Sequence, residues 1–186
     1  MKRLAIFASG SGSNAENIAN YFKGKPEFEI SAILSNNPSA FVLSRAKRLN
    51  IPTLVFSKSE FKETDEIINF LAEKKVDFIV LAGFLWLLPL NLLRKYPNSI
   101  VNIHPALLPK YGGKGMYGMK VHEAVIKNKE KESGITIHMI NENYDEGKIV
   151  FQIKCNIETT DTAIDVAEKI HQLEYEFYPK IIEQLL

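Results

Sequence analysis

The chain has 186 residues, of which 46% are apolar and 24% are charged, and these fractions are ordinary for one soluble globular domain. The same numbers exclude disordered, collagen-like and disulfide-rich proteins. The 23 Lys and Arg residues and the 22 Asp and Glu residues leave a formal charge of +1. Because so small a net charge provides no broad field for nucleic acid or an anionic membrane, an anionic ligand has to be bound by a local site.

Cysteine content and the apolar runs favour a cytoplasmic protein. Cys155 is the single cysteine, so the chain cannot form an internal disulfide. The apolar stretch near the N-terminus, residues 4–8, is too short for a signal peptide. The longest apolar run, residues 78–90, contains Gly83 and Pro89. It is also shorter than the roughly 18 residues of a spanning helix. We therefore expect no membrane segment.

Short apolar runs alternate with amphipathic stretches in the first half of the chain, and this alternation is typical of a parallel sheet covered by helices. The predicted strands are Leu4 to Ala8, Phe28 to Ser35, Thr53 to Phe56, Phe78 to Leu81 and Ser99 to Ile103. The predicted helices are Ala15 to Phe22, Phe41 to Leu49, Asp65 to Lys74 and Leu90 to Tyr96. Ser13 and Ser39 are placed to cap the first two helices.

The second half changes character. Residues 134–140 and 148–154 alternate polar and apolar side chains, which predicts two late, partly antiparallel strands joined by the polar stretch 141–147. From Thr162 onward, apolar residues recur at steps of three and four, which predicts a helix packed by one face. Pro179 is expected to kink or end it. The fold class is therefore α/β, with a mostly parallel sheet flanked by helices.

A glycine-rich turn, residues 9–14 (SGSGSN), follows the first predicted strand and opens the first helix. Glycines let the backbone approach a ligand, and exposed N–H groups at a helix start favour an anion such as phosphate. A plain strand-to-helix turn also prefers Gly and Ser and is the alternative.

Two nucleotide motifs are disfavoured at this turn. Gly10, Gly12 and Ala15 fit the loose dinucleotide spacing, but the second strand ends in residues 35–37 (SNN), without the acidic residue that would hold a ribose. No Gly-Lys-Ser/Thr follows the glycines, which excludes a Walker-type ATP loop. The turn therefore predicts a monophosphate site.

Asn102 and His104 lie at the end of the fifth predicted strand, where open α/β sheets bind their ligands. Because they alternate with Val101 and Ile103, both side chains project from one face of the strand. Asn offers a neutral amide donor, and His offers a donor that also transfers protons near neutral pH. Together they suit an oxyanion formed at a carbonyl. A hydrogen-bonded turn histidine before Pro105 is the alternative.

Asp145 lies in the polar stretch between the two late strands. A carboxylate that reached His104 would fix its tautomer and raise its pKa through the opposite charge. The alternative is an ordinary turn aspartate. The four histidines are dispersed and Cys155 stands alone, so no metal site is expected. No serine lies in a convincing nucleophile elbow, so covalent catalysis is not expected.

In combination, these motifs resemble the glycinamide ribonucleotide formyltransferases of purine biosynthesis, which use 10-formyltetrahydrofolate. The matching segments follow the family's order over almost the whole chain: residues 9–14, 81–84, 102–105, 107–111, 134–138 and 145–147, and Glu174 ahead of Tyr178 and Pro179. The resemblance implies a formyltransferase-type, Rossmann-like fold in a single domain, residues 1–186. Within it, residues 1–100 form a phosphate-binding β-α half and residues 101–186 a catalytic and folate-binding half.

The resemblance also implies roles for individual residues. The phosphoribosyl end of glycinamide ribonucleotide contacts Gly12, Ser13 and Asn14, and the glycinamide portion contacts His171, Gln172, Leu173 and Glu174. The folate site comprises Leu85, Trp86, Leu87, Leu88, Asn102, Asn141, Glu142, Asn143, Tyr144 and Asp145. The catalytic residues are Asn102, the proton donor His104, and Asp145, which raises the pKa of His104. Thr64 stands where familiar members have a folate-binding Arg, so that role is transferred neither to Thr64 nor to Lys62.

The implied reaction is direct attack of the substrate amine on the formyl carbon, through a tetrahedral intermediate and without a metal. One alternative is the catalytic domain of a methionyl-tRNA formyltransferase, which usually needs an RNA-binding domain and a basic surface. A formyltetrahydrofolate deformylase carries an extra N-terminal domain, and a non-catalytic nucleotide-binding module is a further alternative. We expect small-molecule substrates, no nucleic-acid or membrane partner, and a monomer or homodimer.

Overall fold

Strands and helices alternate along the first hundred residues, as the sequence predicts. The computed structural model describes residues 1–143 and 145–186, in two units: residues 1–101 with Leu186, and residues 102–185. The first unit contains β1 (Lys2–Phe7), α1 (Ser13–Phe22), β2 (Phe28–Ser35), α2 (Phe41–Arg48), β3 (Thr53–Val55), α3 (Lys58–Glu63), α4 (Glu66–Glu73), β4 (Phe78–Leu81) and α5 (Leu90–Lys95). Its strand order is β3-β2-β1-β4, and every neighbouring pair is parallel.

The central strands of this unit carry its core. Residues 4–7 of β1 are completely buried, and β4 is buried along its whole length. Such continuous apolar runs are what a parallel sheet requires, because helices cover both of its faces. The core therefore fixes β1 firmly up to the glycine-rich turn at its carboxyl end.

The predicted serine caps are wrong at both helices. α1 begins at Ser13 after Gly12, and α2 begins at Phe41 after Ala40; neither N-cap residue makes a side-chain cap hydrogen bond. Asn37 organises the turn before α2 instead, since its side-chain oxygen accepts from the Ser39 N–H at 2.9 Å. A competing Asx turn thus replaces the serine cap.

One short helix was not predicted. α3 starts with a capping box, in which the Ser57 hydroxyl accepts from the Glu60 N–H and the Glu60 carboxylate accepts from the Ser57 N–H. Its six residues bury only Phe61, so the sequence carries little helical periodicity there.

In β5 (Ile100–His104), the last three residues, Asn102 to His104, belong to the second unit. The unit continues with α6 (Met119–Lys127), β6 (Glu132–Met139), β7 (Ile149–Asn156) and α7 (Ala163–Leu185). β6 and β7 pair in the antiparallel sense, which confirms the late antiparallel strands. With the parallel strands of the first unit, this establishes the predicted α/β class.

α7 runs through Pro179 to Leu185, so of the two predicted effects of this proline, a kink or an end of the helix, the end is wrong. Tyr178, Ile181 and Ile182 are buried on either side of it. Burial of these side chains stabilises the last turns and offsets the backbone hydrogen bond that proline removes.

Gly147 lets the chain return tightly from β6 into β7. A Cβ atom there would lie 1.6 Å from the Met139 carbonyl oxygen. The same residue, Met139, donates its N–H to the Lys148 carbonyl at 2.9 Å. Only glycine fits so close an approach, and the tight return fixes the loop that carries Asp145.

Candidate active site

His104, the last residue of β5, is 4% exposed and lies between two acceptors. Its Nε2 lies 2.7 Å from the carbonyl oxygen of Tyr111. A carbonyl oxygen only accepts, so Nε2 carries a hydrogen and donates. Its Nδ1 lies 3.6 Å from Oδ2 of Asp145. Both neighbours stabilise a positive charge on the ring.

Burial nevertheless lowers the pKa of His104 below its ordinary value, because the charged ring loses solvation. The charge of Asp145 and the Tyr111 carbonyl raise the pKa, but by less. The predicted effect of Asp145, which is to raise the pKa of His104, has the expected sign, but burial outweighs it. At neutral pH the ligand-free ring is therefore mainly neutral, with its hydrogen on Nε2 and a lone pair on Nδ1.

Asp145 is held by three groups of the same unit. Its Oδ2 accepts from the Gly113 N–H at 2.9 Å, and its Oδ1 lies 3.6 Å from Nε2 of His138. Burial alone would raise the pKa of Asp145. The interactions with His138, His104 and Gly113 together outweigh burial and lower it. The side chain is therefore an ionised carboxylate lying between two imidazoles.

Asn102 contacts the second of these imidazoles. Nδ1 of His138 donates to the Met139 carbonyl at 3.2 Å, and Nε2 of His138 lies 3.2 Å from the side-chain nitrogen of Asn102 and 3.6 Å from Oδ1 of Asp145. Among residues 1–143 and 145–186, His138 is the only hydrogen-bond partner of the Asn102 amide nitrogen, so at least one N–H of this amide is available to a ligand. The structure thus brings Asn102, His104 and Asp145 together, with the completely buried His138 joining the amide to the carboxylate.

The segment after His104 is fixed by β6 and β7. The Thr136 hydroxyl donates to the Ala106 carbonyl at 2.7 Å and accepts from the Leu108 N–H at 3.0 Å. The Gln152 amide donates to Thr136 and to the Leu108 carbonyl. These hydrogen bonds fix the backbone that leads from His104 to Tyr111.

Tyr111 is held at its other end as well. Its hydroxyl donates to Glu130 at 2.9 Å and accepts from the Asn128 amide at 3.0 Å. An anchored side chain restricts the residue whose carbonyl orients the His104 ring. Tyr111 therefore orients the ring through its backbone.

Sequence reasoning missed three of these contacts, those of His138, Tyr111 and Gly113. A signal was present for the first, because Thr136 and His138 alternate along β6 as Asn102 and His104 do along β5. No signal marked the other two, since they act through backbone groups.

In the first unit, the glycine turn, residues 9–14, leads from β1 into α1. Gly12 has a φ of 73°, and a Cβ there would lie 2.3 Å from Cγ2 of Val42. Ser13 and Asn14 are half-buried and open α1. Among the described residues, the backbone N–H groups of residues 10–13 have no hydrogen-bond acceptor. These donors are therefore available to an anion.

The four residues proposed for the apolar part of the folate site differ in exposure. Leu85 is 46% exposed, Leu88 is buried, and Trp86 and Leu87 are half-buried. The Trp86 ring packs against Phe56 and Phe61 at centroid distances of 6.1 and 5.7 Å. Its position is therefore set by an aromatic cluster.

The polar stretch after β6 lies at the surface. Asn141, Glu142 and Asn143 are exposed, and the Asn141 side chain accepts from the Asn143 N–H at 3.0 Å. Tyr144, which the resemblance also assigns to folate, lies outside the described residues.

The segment assigned to the glycinamide portion lies in α7. Glu174 is 5% exposed and accepts from Nδ1 of His171 at 2.9 Å. This hydrogen bond raises the pKa of His171. His171 and Gln172 are exposed and Leu173 is half-buried. Glu174 is thus the buried polar member of the set.

The described part of the chain contains neither a grouped set of metal ligands nor a membrane-spanning helix. Within residues 1–143 and 145–186, no three His, Cys, Asp or Glu side chains are grouped as metal ligands. In the same residues, no helix is long and apolar enough to cross a membrane.

The chain was compared with known families, curated proteins and solved structures. The formyl transferase family model matches residues 2–182. A phosphoribosylglycinamide formyltransferase of Bacillus subtilis is 36% identical over 100% of this chain and 95% of its own length. The chloroplastic enzyme of that name from Arabidopsis thaliana is 37% identical over 97% of this chain. This chain spans only 64% of the length of that protein.

A solved structure agrees with these sequence matches. The glycinamide ribonucleotide transformylase 1 of Geobacillus kaustophilus has a TM-score of 0.91 and 36% identity. The match covers 100% of this chain and 99% of that one.

Proposed function

This chain belongs to the formyl transferase family, and we propose that it transfers the formyl group of 10-formyltetrahydrofolate to the amine of glycinamide ribonucleotide, a step of purine biosynthesis. The names of the bacterial relatives, which it matches over nearly their whole length, support this substrate. 10-Formyltetrahydrofolate enters as a co-substrate that supplies an electrophilic formyl carbon.

The observation that carries the proposal is the grouping of an amide, an imidazole and a carboxylate within one unit. Asn102, His104 and Asp145 come from β5 and from the loop after β6. His138 and the backbone of Tyr111 and Gly113 hold them in place. This donor set suits a reaction that forms an oxyanion and moves one proton.

His104, Asn102 and Asp145 each perform a different part of the formyl transfer. Attack of the amine on the formyl carbon forms a tetrahedral oxyanion and leaves an extra proton on the attacking nitrogen. Nδ1 of His104 accepts this proton, and the resulting imidazolium lies beside the ionised Asp145. The imidazolium and the free N–H of Asn102 stabilise the oxyanion. His104 then gives the proton to N10 as the carbon–nitrogen bond to the folate breaks.

The remaining assignments are part of the same proposal. Gly12, Ser13 and Asn14 bind the phosphate, which is supported by the available backbone N–H groups of the glycine turn. Glu174 and its neighbours from His171 onward contact the glycinamide portion. The folate contacts are Leu85 to Leu88, Asn102, and residues 141–145.

The test is a transfer assay with the purified full-length chain, glycinamide ribonucleotide and 10-formyltetrahydrofolate, followed by folate absorbance and by the mass of the formylated product. We expect stoichiometric formylation, unchanged by a metal chelator. Transfer only to charged initiator tRNA would indicate a methionyl-tRNA formyltransferase instead. No transfer to either acceptor would overturn the proposed enzyme activity in favour of a binding module.

The partners follow from the reaction. The proposed ligands are small molecules, and neither nucleic acid nor a membrane takes part. A cytoplasmic location and a monomeric or dimeric state stay predictions. Gel filtration with light scattering measures the second directly.

A further inference from the structure

Three successive carbonyl oxygens of the glycine turn accept hydrogen bonds from the turn that follows β2 and from α2. The donors are the side-chain amide of Asn37 to Ser9 at 3.4 Å, the backbone N–H of Val42 to Gly10 at 3.1 Å, and Nε of Arg45 to Ser11 at 2.8 Å. The N–H groups of residues 10–13, in contrast, have no acceptor among the described residues. The turn therefore has its negative groups engaged and its positive groups available, as an anion site needs.

We propose that Arg45 is a positioning residue that holds the glycine turn in its phosphate-binding shape. The inference rests on the proposed function, in which this turn binds the substrate phosphate. Arg45 supplies the only side-chain donor to the Ser11 carbonyl among the described residues. Arg45 therefore directs the dipole of the Ser11 carbonyl toward the guanidinium group and away from the bound anion.

The Arg45 side chain is itself fixed on two further sides. Its guanidinium pairs with the carboxylate of Glu16, in the first turn of α1, and lies 5.0 Å from the centre of the Phe41 ring. The side chain is 20% exposed, so little of it moves freely in solvent. One planar group thus joins the glycine turn, the start of α1 and α2.

Only arginine can make this set of contacts. Its Nε and its terminal nitrogens donate in one plane, so it can bind a carbonyl and a carboxylate at the same time. Lysine keeps the charge but presents one flexible ammonium group. Arg45→Lys therefore separates the two ways in which Arg45 can act, since it retains attraction of phosphate by charge and removes the fixed geometry.

Arg48 offers a matched control. It also pairs with Glu16, at 2.8 Å, and lies 6.0 Å from the Phe41 ring centre. Its side chain is 59% exposed and has no hydrogen bond to the glycine turn in the described part of the chain. Arg48→Met therefore removes the same charge from the same cluster and leaves the Ser11 carbonyl bound.

The experiment measures the dissociation constant of ribose 5-phosphate by calorimetry for the full chain and for Arg45→Met, Arg45→Lys and Arg48→Met. Losing a hydrogen bond from a charged donor typically costs about a factor of ten in affinity. We expect both Arg45 variants to bind about tenfold more weakly and Arg48→Met to stay within about twofold of the parent. Circular dichroism checks folding, and Arg45→Lys carries the test if Arg45→Met does not fold.

Three results would overturn the inference. Arg45→Lys binding as tightly as the parent would mean that charge, not geometry, is what matters. Equal losses in Arg45→Met and Arg48→Met would assign the effect to the charge cluster as a whole. If the parent chain does not bind ribose 5-phosphate, the glycine turn is not a phosphate site and Arg45 cannot have the proposed role.

Kinetics separate this inference from the proposed function. In the transfer assay, the Arg45 variants should raise KM for glycinamide ribonucleotide about tenfold. They should leave KM for 10-formyltetrahydrofolate unchanged and kcat nearly so. If the parent chain formylates nothing but the Arg45 variants still bind ribose 5-phosphate more weakly, the proposed function fails and the positioning role stands.

Discussion

Nδ1 of His104 and Oδ2 of Asp145 lie 3.6 Å apart, on side chains that are only 5% and 14% exposed. Water screens a pair so placed much less than it screens a surface ion pair. The carboxylate therefore acts on the charge of the ring more strongly than an exposed acid would. Its effect is largest once the ring has gained a proton, because only then do two opposite charges face each other.

We expect Asp145→Asn to lower kcat by roughly 100-fold to 1000-fold, the range found when a group that stabilises a developing charge is removed. The imidazolium that His104 forms during transfer would lose its counterion. KM for both substrates should change little, because the pair acts in the transition state. Steady-state kinetics with each substrate varied in turn measures the two effects.

Glu146→Gln is the control for this substitution, since Glu146 is an adjacent acid whose carboxylate pairs with Asn143. It should retain nearly full turnover. His104→Ala should lose at least as much kcat as Asp145→Asn. The double variant should lose little more than His104→Ala alone, because both residues serve one proton transfer. Near-normal turnover in either single variant contradicts the assigned roles.

The titration of His104 provides a second prediction. Burial lowers its pKa below the ordinary 6.5, and the Asp145 charge opposes that shift. Asp145→Asn should therefore lower the pKa further. NMR titration of the histidine ring signals measures both midpoints. His171, whose pKa is raised by its hydrogen bond to Glu174, is an internal reference that should titrate above 6.5 in both proteins.

The lowered pKa of His104 also makes the free energy of unfolding depend on pH. Between the folded and the unfolded pKa of His104, the unfolded chain binds more protons than the folded one. The free energy of unfolding therefore falls as the pH drops from about 6.5 through the lower, folded value. His104→Asn should make this fall less steep in urea unfolding series at several pH values. A midpoint for His104 above 6.5 in the ligand-free protein would reverse the sign and contradict the account.

Substitutions at His138 test its contacts with Asn102 and Asp145, which sequence reasoning missed. His138→Leu introduces an apolar side chain of similar size and leaves the Asn102 amide and the Asp145 carboxylate without this neighbour. Leaving a buried polar group unpaired costs about 1–3 kcal/mol. We expect kcat to fall roughly tenfold or more. His138→Gln, which keeps a polar side chain, should recover part of the loss in the same assay. Equal activity of His138→Leu and the parent chain would exclude a positioning role.

The sequence was informative where a residue's chemistry and its periodic position agree. β2 (Phe28–Ser35) and β4 (Phe78–Leu81) have their predicted bounds, and β4 is the continuous apolar run expected of a buried parallel strand. Period-two alternation also placed Asn102 and His104 on one face of β5. Asp145 could be named only as a candidate, since its approach to His104 depends on the tertiary path of a loop.

Other features of the fold and of the candidate site could not be predicted from a sequence pattern. The Tyr111 carbonyl and the Gly113 N–H are backbone groups that every residue type possesses, so no side chain marks them. The net pKa of His104 depends on how deeply the ring is buried, which the sequence does not specify. The predicted serine cap of α2 failed because Asn37 offers the backbone a competing turn.

Two glycines of the glycine turn, Gly10 and Gly12, differ in the space around them. Gly12 has a φ of 73°, and a Cβ there would overlap Val42, whereas a Cβ at Gly10 would meet nothing within 4 Å. A side chain in the left-handed region costs about 1–2 kcal/mol before any overlap is counted. Gly12→Ala should therefore lower the midpoint of thermal unfolding and raise KM for glycinamide ribonucleotide. Gly10→Ala should leave stability nearly unchanged. If the two variants unfold at the same temperature, packing of α2 against Gly12 does not set the shape of the turn.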